Sequence, residues 1–175
     1  MYNSRQEKPS SVIFEFSTEV IRKVIEELDK AEEFIKIAIF QLHHMDVFNI
    51  LLGKIRQGVS VEIFTLPYEG IYENIRTQVE SEFRKLESNG AILHFCKWNV
   101  GDPKETRTAV GRWYSFHGKF IVTDKSAIAL SANLIQAPEL DSMIIYSNDD
   151  TKIAEFNNKF DMLVSKFVTE KNGFD

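Results

Sequence analysis

The order of apolar segments along the chain predicts an α/β layer fold. Three observations carry that prediction. Short runs rich in branched and aromatic residues alternate with longer stretches in which apolar positions recur every three or four residues. One short run in the first half is apolar almost throughout, as a central strand buried on both faces is. Finally, 175 residues with 43% hydrophobic and 27% charged side chains are the size and balance of one globular domain with one core.

Residues 1–11 are polar, contain Pro9 and are expected to fray, leaving a single domain over 12–175. Val12–Phe16 is a short strand. Ser17 or Thr18 is placed to cap a helix reaching Ala31, with Glu19 in its first turn and Val20, Ile21, Val24, Ile25 and Leu28 on its inner stripe. Phe34–Leu42 is the central strand, and Asp46–Gln57 is a helix closed by Gly58 as a left-handed cap. Val59–Thr65 is a strand, Pro67–Gly70 a turn, Ile71–Ser88 a helix ended by Asn89-Gly90, and Ala91–Lys97 a further strand. Trp98–Gly111 interrupts this rhythm as a long loop with basic residues in and beside it, a length that is often functional. Strands over Phe116–Val122, Ala127–Leu130 and Ser142–Ser147 follow, with a turn at Asp124-Lys125. An amphipathic helix over Asp150–Val168 closes the pattern.

Net charge is −5 and the sequence pI about 5.5, which argues against a protein that coats nucleic acid indiscriminately. Any polyanion contact has to come from a local basic patch. A lone cysteine, Cys96, excludes an internal disulfide and fits a reducing compartment. No apolar run approaches a membrane span and no N-terminal stretch has the form of a secretory signal. A cytoplasmic location without stable membrane association is therefore expected.

Chemistry concentrates in Phe116-His117-Gly118-Lys119-Phe120-Ile121-Val122-Thr123-Asp124 and the Ser131-Ala132-Asn133 that follows. In a strand, His117 and Lys119 point the same way, one pleat apart. The bland reading is an edge strand with two solvated polar residues. The chemical reading is a site for phosphodiester attack. A phosphodiester repels nucleophiles, so it needs a good nucleophile, fixed donors on its oxygens and an acid for the leaving group. Imidazole suits the nucleophile and acid roles near neutrality. Lys119 supplies a compact charge, and Ser131 and Asn133 supply neutral donors.

These residues resemble the phospholipase D superfamily, whose signature is His-x-Lys-x-x-x-x-Asp followed by Gly-Ser-x-Asn and an acidic residue before an apolar strand. His117, Lys119 and Asp124 match the first part, Ser131 and Asn133 the second, and Asp141 before Met143-Ile144-Ile145-Tyr146 the third. Leu130 stands where the family usually has Gly, Asp141 where Glu is commoner, and the loop between Asn133 and Asp141 is short.

The resemblance implies an αβα sandwich with a mixed central sheet, and catalysis through a phosphohistidine without a metal or other cofactor. It implies catalytic roles for His117, Lys119, Asp141 and Asp124. Asp141 holds the His117 tautomer by its place in the pattern, and Asp124, at the strand end, braces the site loop. Substrate contacts fall to Ser131, Asn133 and Arg112. Since the chain has one motif copy, two copies have to meet, most simply as a homodimer through the active-site face; the alternative is that this sequence is half of a longer protein that carries the second motif. The favoured substrate is nucleic acid, DNA or RNA. Lipid phosphodiester hydrolysis and a non-catalytic binding module of a larger protein are the alternatives. His43 and His44, after the central strand, either line the site or serve as ordinary loop and helix-start residues. His94 faces solvent or a core hydrogen bond. Trp113, Tyr114 and Phe116 beside Arg112 either stack bases or pack as strand residues.

Overall fold

Two halves of the chain build one sheet in different ways, because helices separate the early strands and tight turns or short links the late ones. The computed structural model describes residues 9–67, 73–96, 116–136 and 140–168. Its strands are β1 (Ser11–Ser17), β2 (Phe34–Ile39), β3 (Ser60–Thr65), β4 (Ile92–Phe95), β5 (Lys119–Thr123), β6 (Ser126–Leu130) and β7 (Asp141–Ser147). Its helices are α1 (Val20–Asp29), α2 (Met45–Arg56), α3 (Glu73–Ser88) and α4 (Asp150–Phe167).

The strands form one sheet in the order β1-β7-β6-β5-β2-β3-β4. β2, β3 and β4 run parallel, since each is reached through a crossover helix. β5 pairs with β2 antiparallel, and β6, β7 and β1 continue antiparallel outward. Strand alternation gives the sheet two apolar faces. Ile37, Ile121, Ile128 and Ile145 lie in the core on the side of α1, α2 and α3. Ala38, Phe64 and Phe120 meet Phe160 of α4 on the other. The mixed sheet and the αβα layers are as the resemblance implies, within a single domain.

Several boundaries differ from the sequence reading for local reasons. β1 continues through Ser17, which pairs with Asp141, so neither Ser17 nor Thr18 is free to cap α1. Glu19 takes the cap position instead, and the Ser17 hydroxyl accepts the Glu19 N–H at 3.1 Å. β4 stops at Phe95, and Cys96 is buried in a bridge to Val168 beyond α4. Gly58 has φ +90°, the left-handed cap expected after α2. Residues 68–70 of the expected turn, 71–72 of the helix start, Lys97 and the 98–111 loop lie outside the described residues.

One face of β1 stays open. Val12, Phe14 and Phe16 stand opposite Tyr146, Ile144 and Ser142 of β7, and are 62%, 70% and 62% exposed. Tyr146 meets Phe156 of α4, so these side chains project on the α4 side of the sheet. Among the described residues the helix packs over β5, β6, β2 and β3 and does not cover these side chains.

Candidate active site

Antiparallel pairing of β5 with β2 sets the start of one strand beside the finish of the other, with Lys119 opposite Ile39. The strand begins at Lys119, three residues later than the expected start at Phe116, so His117 lies just outside it. Gly118 explains the break. A Cβ there would lie 2.7 Å from the ring of Phe116, which is buried edge-on against Phe64. Only glycine lets the backbone pass that ring.

His117 and Lys119 nevertheless meet. Lys119 Nζ donates to His117 Nδ1 at 3.1 Å, lies 3.5 Å from Nε2, and donates to the His117 carbonyl at 3.2 Å. An ammonium only donates, so the ring nitrogen facing it is unprotonated. Partial burial, and then the Lys119 charge, push the His117 pKa below its ordinary value, favouring the neutral imidazole. Phe40, the residue after β2, packs its ring against the imidazole, with the two centroids 4.8 Å apart. Sequence reasoning missed Phe40; its place directly after a central strand is the signal that marks it. Burial also lowers the Lys119 pKa, an effect that the negative charge of Asp141 opposes.

Asp141 opens β7, next to the end of β6. The Ser131 hydroxyl donates to Asp141 Oδ1 at 2.7 Å and accepts the Ser142 N–H at 2.9 Å. Ser131 is thus a positioning group for Asp141 here, rather than the free phosphate donor expected. Asp141 acts on Lys119 through its charge, and the structure does not join it to the imidazole of the same chain. Asn133 sits on a segment stitched to the loop after β2: Leu134 N–H donates to Gln41 at 3.1 Å, and His43 N–H donates back to Leu134 at 2.8 Å. Its Oδ1 is buried without a partner among the described residues. As an amide oxygen it accepts only, while the amide NH₂ is the group that can donate.

Asp124 is not brought to this site. It lies past the opposite end of β5, where its carboxylate accepts the backbone N–H groups of Glu32 at 3.0 Å and Glu33 at 3.1 Å. Lys125 Nζ lies 3.0 Å from its other oxygen. Burial alone would raise its pKa, but the Glu33 and Glu32 donors and Lys125 outweigh that and hold the carboxyl below its ordinary value. The expected bracing role is directed at the turn before β2, not at a site loop. His94 is half-buried and pairs with Glu62 at 2.9 Å across β3 and β4, which accords with a core hydrogen bond. His44 takes the helix-start role, at the N-cap of α2, with Nδ1 buried and unpaired among the described residues. Arg112, Trp113 and Tyr114 lie outside the described residues. Among the described residues no group of three or more His, Cys, Asp or Glu is placed to hold a metal ion, and no helix is long and apolar enough to cross a membrane.

A neutral imidazole stands beside a fixed ammonium at the end of a mixed sheet between helical layers, within an α/β domain. The chain belongs to the phospholipase D superfamily: residues 24–164 match the family described as cardiolipin synthase, PLD-like domain. No curated protein sequence matches it. Among solved structures it is similar to Nuc from Salmonella typhimurium, a phospholipase D family member, with TM-score 0.72, 16% identity and coverage of 91% of this chain and 97% of that one. NucT from Helicobacter pylori gives TM-score 0.72 and 16% identity over 91% of this chain and 99% of that one. TrmBL2, an archaeal chromatin protein, gives TM-score 0.59 and 13% identity over 95% of this chain and 56% of that one.

Proposed function

We propose that this protein is a metal-independent phosphodiesterase that cleaves nucleic acid at a site shared by two subunits. The observation that carries the reading is the His117–Lys119 pair, held neutral and cationic respectively at 3.1 Å. In the reaction, a neutral His117 nitrogen attacks phosphorus as Lys119 and Asn133 hold the non-bridging oxygens. The bond from phosphorus to the leaving oxygen breaks, and that oxygen takes a proton from the second subunit's imidazole, which enters this step in its protonated, imidazolium form. Water then attacks the phosphohistidine, giving its proton to that imidazole and releasing His117.

The given residues hold one motif copy, and a second copy of the chain is the simplest source of the other imidazole. The uncovered Val12, Phe14 and Phe16 support a homodimer in which the partner shields the α4 side of the sheet. Nucleic acid as the substrate is supported by the likeness to TrmBL2, whose structure is described as showing a novel mode of DNA binding. One observation favours a second reading: the matched family is named for cardiolipin synthase, so a lipid phosphodiester is the competing substrate.

The test is incubation in chelator with single- and double-stranded DNA, RNA and cardiolipin-containing vesicles, beside His117→Asn. Chelator-resistant cleavage of a polynucleotide that the variant loses supports the reading. Hydrolysis confined to vesicles replaces it with the lipid reading. Binding of DNA without any cleavage, by a protein shown to be dimeric, replaces it with a non-catalytic module.

A further inference from the structure

A small cavity lies between the starts of α2 and α3, beyond the end of β2. It measures about 110 Å³ and is lined by His43, Met45, Phe48, Gln78, Glu82 and Gln136, with Ile75 and Val79 completing its apolar wall. The chain itself ties it to the active site. Phe40, packed against His117, is three residues from His43, so their Cα atoms are at most about 11 Å apart. On the other side, the Asn133–Gln136 segment runs from the site to the cavity, its backbone bonded to Gln41 and His43.

Its lining suits a flat, polar-edged ring. Phe48, Val79, Ile75 and Met45 supply apolar surface. Glu82, 7% exposed, brings a carboxylate to the wall and is held by Lys85 at 2.6 Å. Gln136 gives its carbonyl oxygen to the Met45 N–H at 3.3 Å, which leaves its amide NH₂ as a donor, while the Gln78 amide nitrogen meets Met45 Sδ at 3.5 Å. Burial holds the His43 imidazole toward its neutral form, so the wall bears no added positive charge. A few placed polar groups on an apolar wall are the mark of a specific small site. A volume of this size takes one ring system and excludes a whole nucleotide.

We propose that this cavity receives an amino-bearing nucleobase next to the scissile phosphodiester, with the Glu82 carboxylate accepting from the base's exocyclic NH₂. A carboxylate reads an amino group and disfavours a base edge of carbonyl oxygens. The inference rests on the nuclease reading above and adds a base preference to it.

Two measurements separate the inference from that reading. Saturation-transfer NMR on full-length His117→Asn with adenosine, cytidine, guanosine and uridine reads the cavity without chemistry. The amino-bearing nucleosides should bind at least fivefold more tightly than uridine. Glu82→Gln should abolish that preference, and Gln78→Trp, a change at an exposed position on the rim, should block all four. Equal binding of the four nucleosides, or binding that neither variant alters, overturns the cavity assignment. In the second measurement, single-stranded oligonucleotides carrying one abasic position are cleaved in chelator. Cleavage that ignores the abasic position overturns the cavity and leaves the nuclease reading intact. Selective nucleoside binding without any cleavage does the reverse.

Discussion

Replacing Asp124 with Ala distinguishes a chemical role for the motif's aspartate from a structural one. Its carboxylate accepts two well-placed backbone N–H groups, from Glu32 and Glu33, with longer approaches to Glu32 through the second oxygen and to Phe34 at 3.5 Å. Hydrogen bonds to an ionised acceptor contribute about 1.5–3 kcal/mol each. Water reaches the Glu32 and Glu33 donors once the acceptor is gone, which brings the combined loss below the sum of two such bonds, to about 2 kcal/mol. For a domain of this size that lowers the melting temperature by about 4–8 °C. The carboxyl is held below its ordinary pKa in the fold. Its contribution is therefore complete above the ordinary carboxylate range and is lost as pH falls through the depressed folded value. Thermal melts of wild type and Asp124→Ala should differ at neutral pH and converge in strong acid. Turnover per folded molecule, measured well below either melting temperature, should change by less than about twofold, because the carboxylate is remote from His117. An unchanged melting temperature together with a loss of turnover above about a hundredfold would refute this assignment.

Other outcomes follow from the same geometry. In an NMR titration the His117 midpoint should lie below the ordinary imidazole range, and Lys119→Met should raise it by removing the cation that opposes protonation, while burial keeps it below that range. Gly118→Ala forces a methyl group into the Phe116 ring, so cleavage should fall at least tenfold while the circular dichroism spectrum is retained; wild-type rates would show that the ring yields freely. Phe14→Asp charges the open face of β1, and sedimentation should show it monomeric and inactive under conditions where wild type is dimeric. Ser131→Ala releases Asp141 and should lower turnover more than substrate affinity, since the hydroxyl already donates to that carboxylate.

Local signals were legible in the sequence to the extent that local chemistry sets them. Apolar runs gave β2 and β3, the three- and four-residue periodicity gave α1 and α4, and Gly58 marked its turn by needing positive φ. The pairing of His117 with Lys119 was legible because residues two apart stay together whether or not the strand includes both. What escaped depends on strand order, which no short window encodes. Asp124 finds its donors 90 to 92 residues away, at the turn before β2, only because β5 is inserted beside β2. Phe40 reaches His117 through the same neighbourhood. Ser131 and Asp141 meet because β6 and β7 form a hairpin-like pair, which turns an expected substrate donor into an internal one. The parallel register of β3 and β4 also brings Glu62 to His94 across the strand pair rather than through sequence proximity.

The position of Asp124 turns the four-residue gap of the motif into a measure of length. β5 runs antiparallel to β2 from Lys119 opposite Ile39 to Thr123 opposite Ile35, and Asp124 latches the backbone just before β2 begins. The strand is therefore a ruler whose far mark is the latch and whose near mark is the lysine. Adding or removing one residue between them would leave the latch in place and turn Lys119 to the opposite side of the sheet, because side chains alternate with a period of two. A motif that looks like a set of reacting groups is, in its spacing, a gauge that sets where the reacting end of the strand stops.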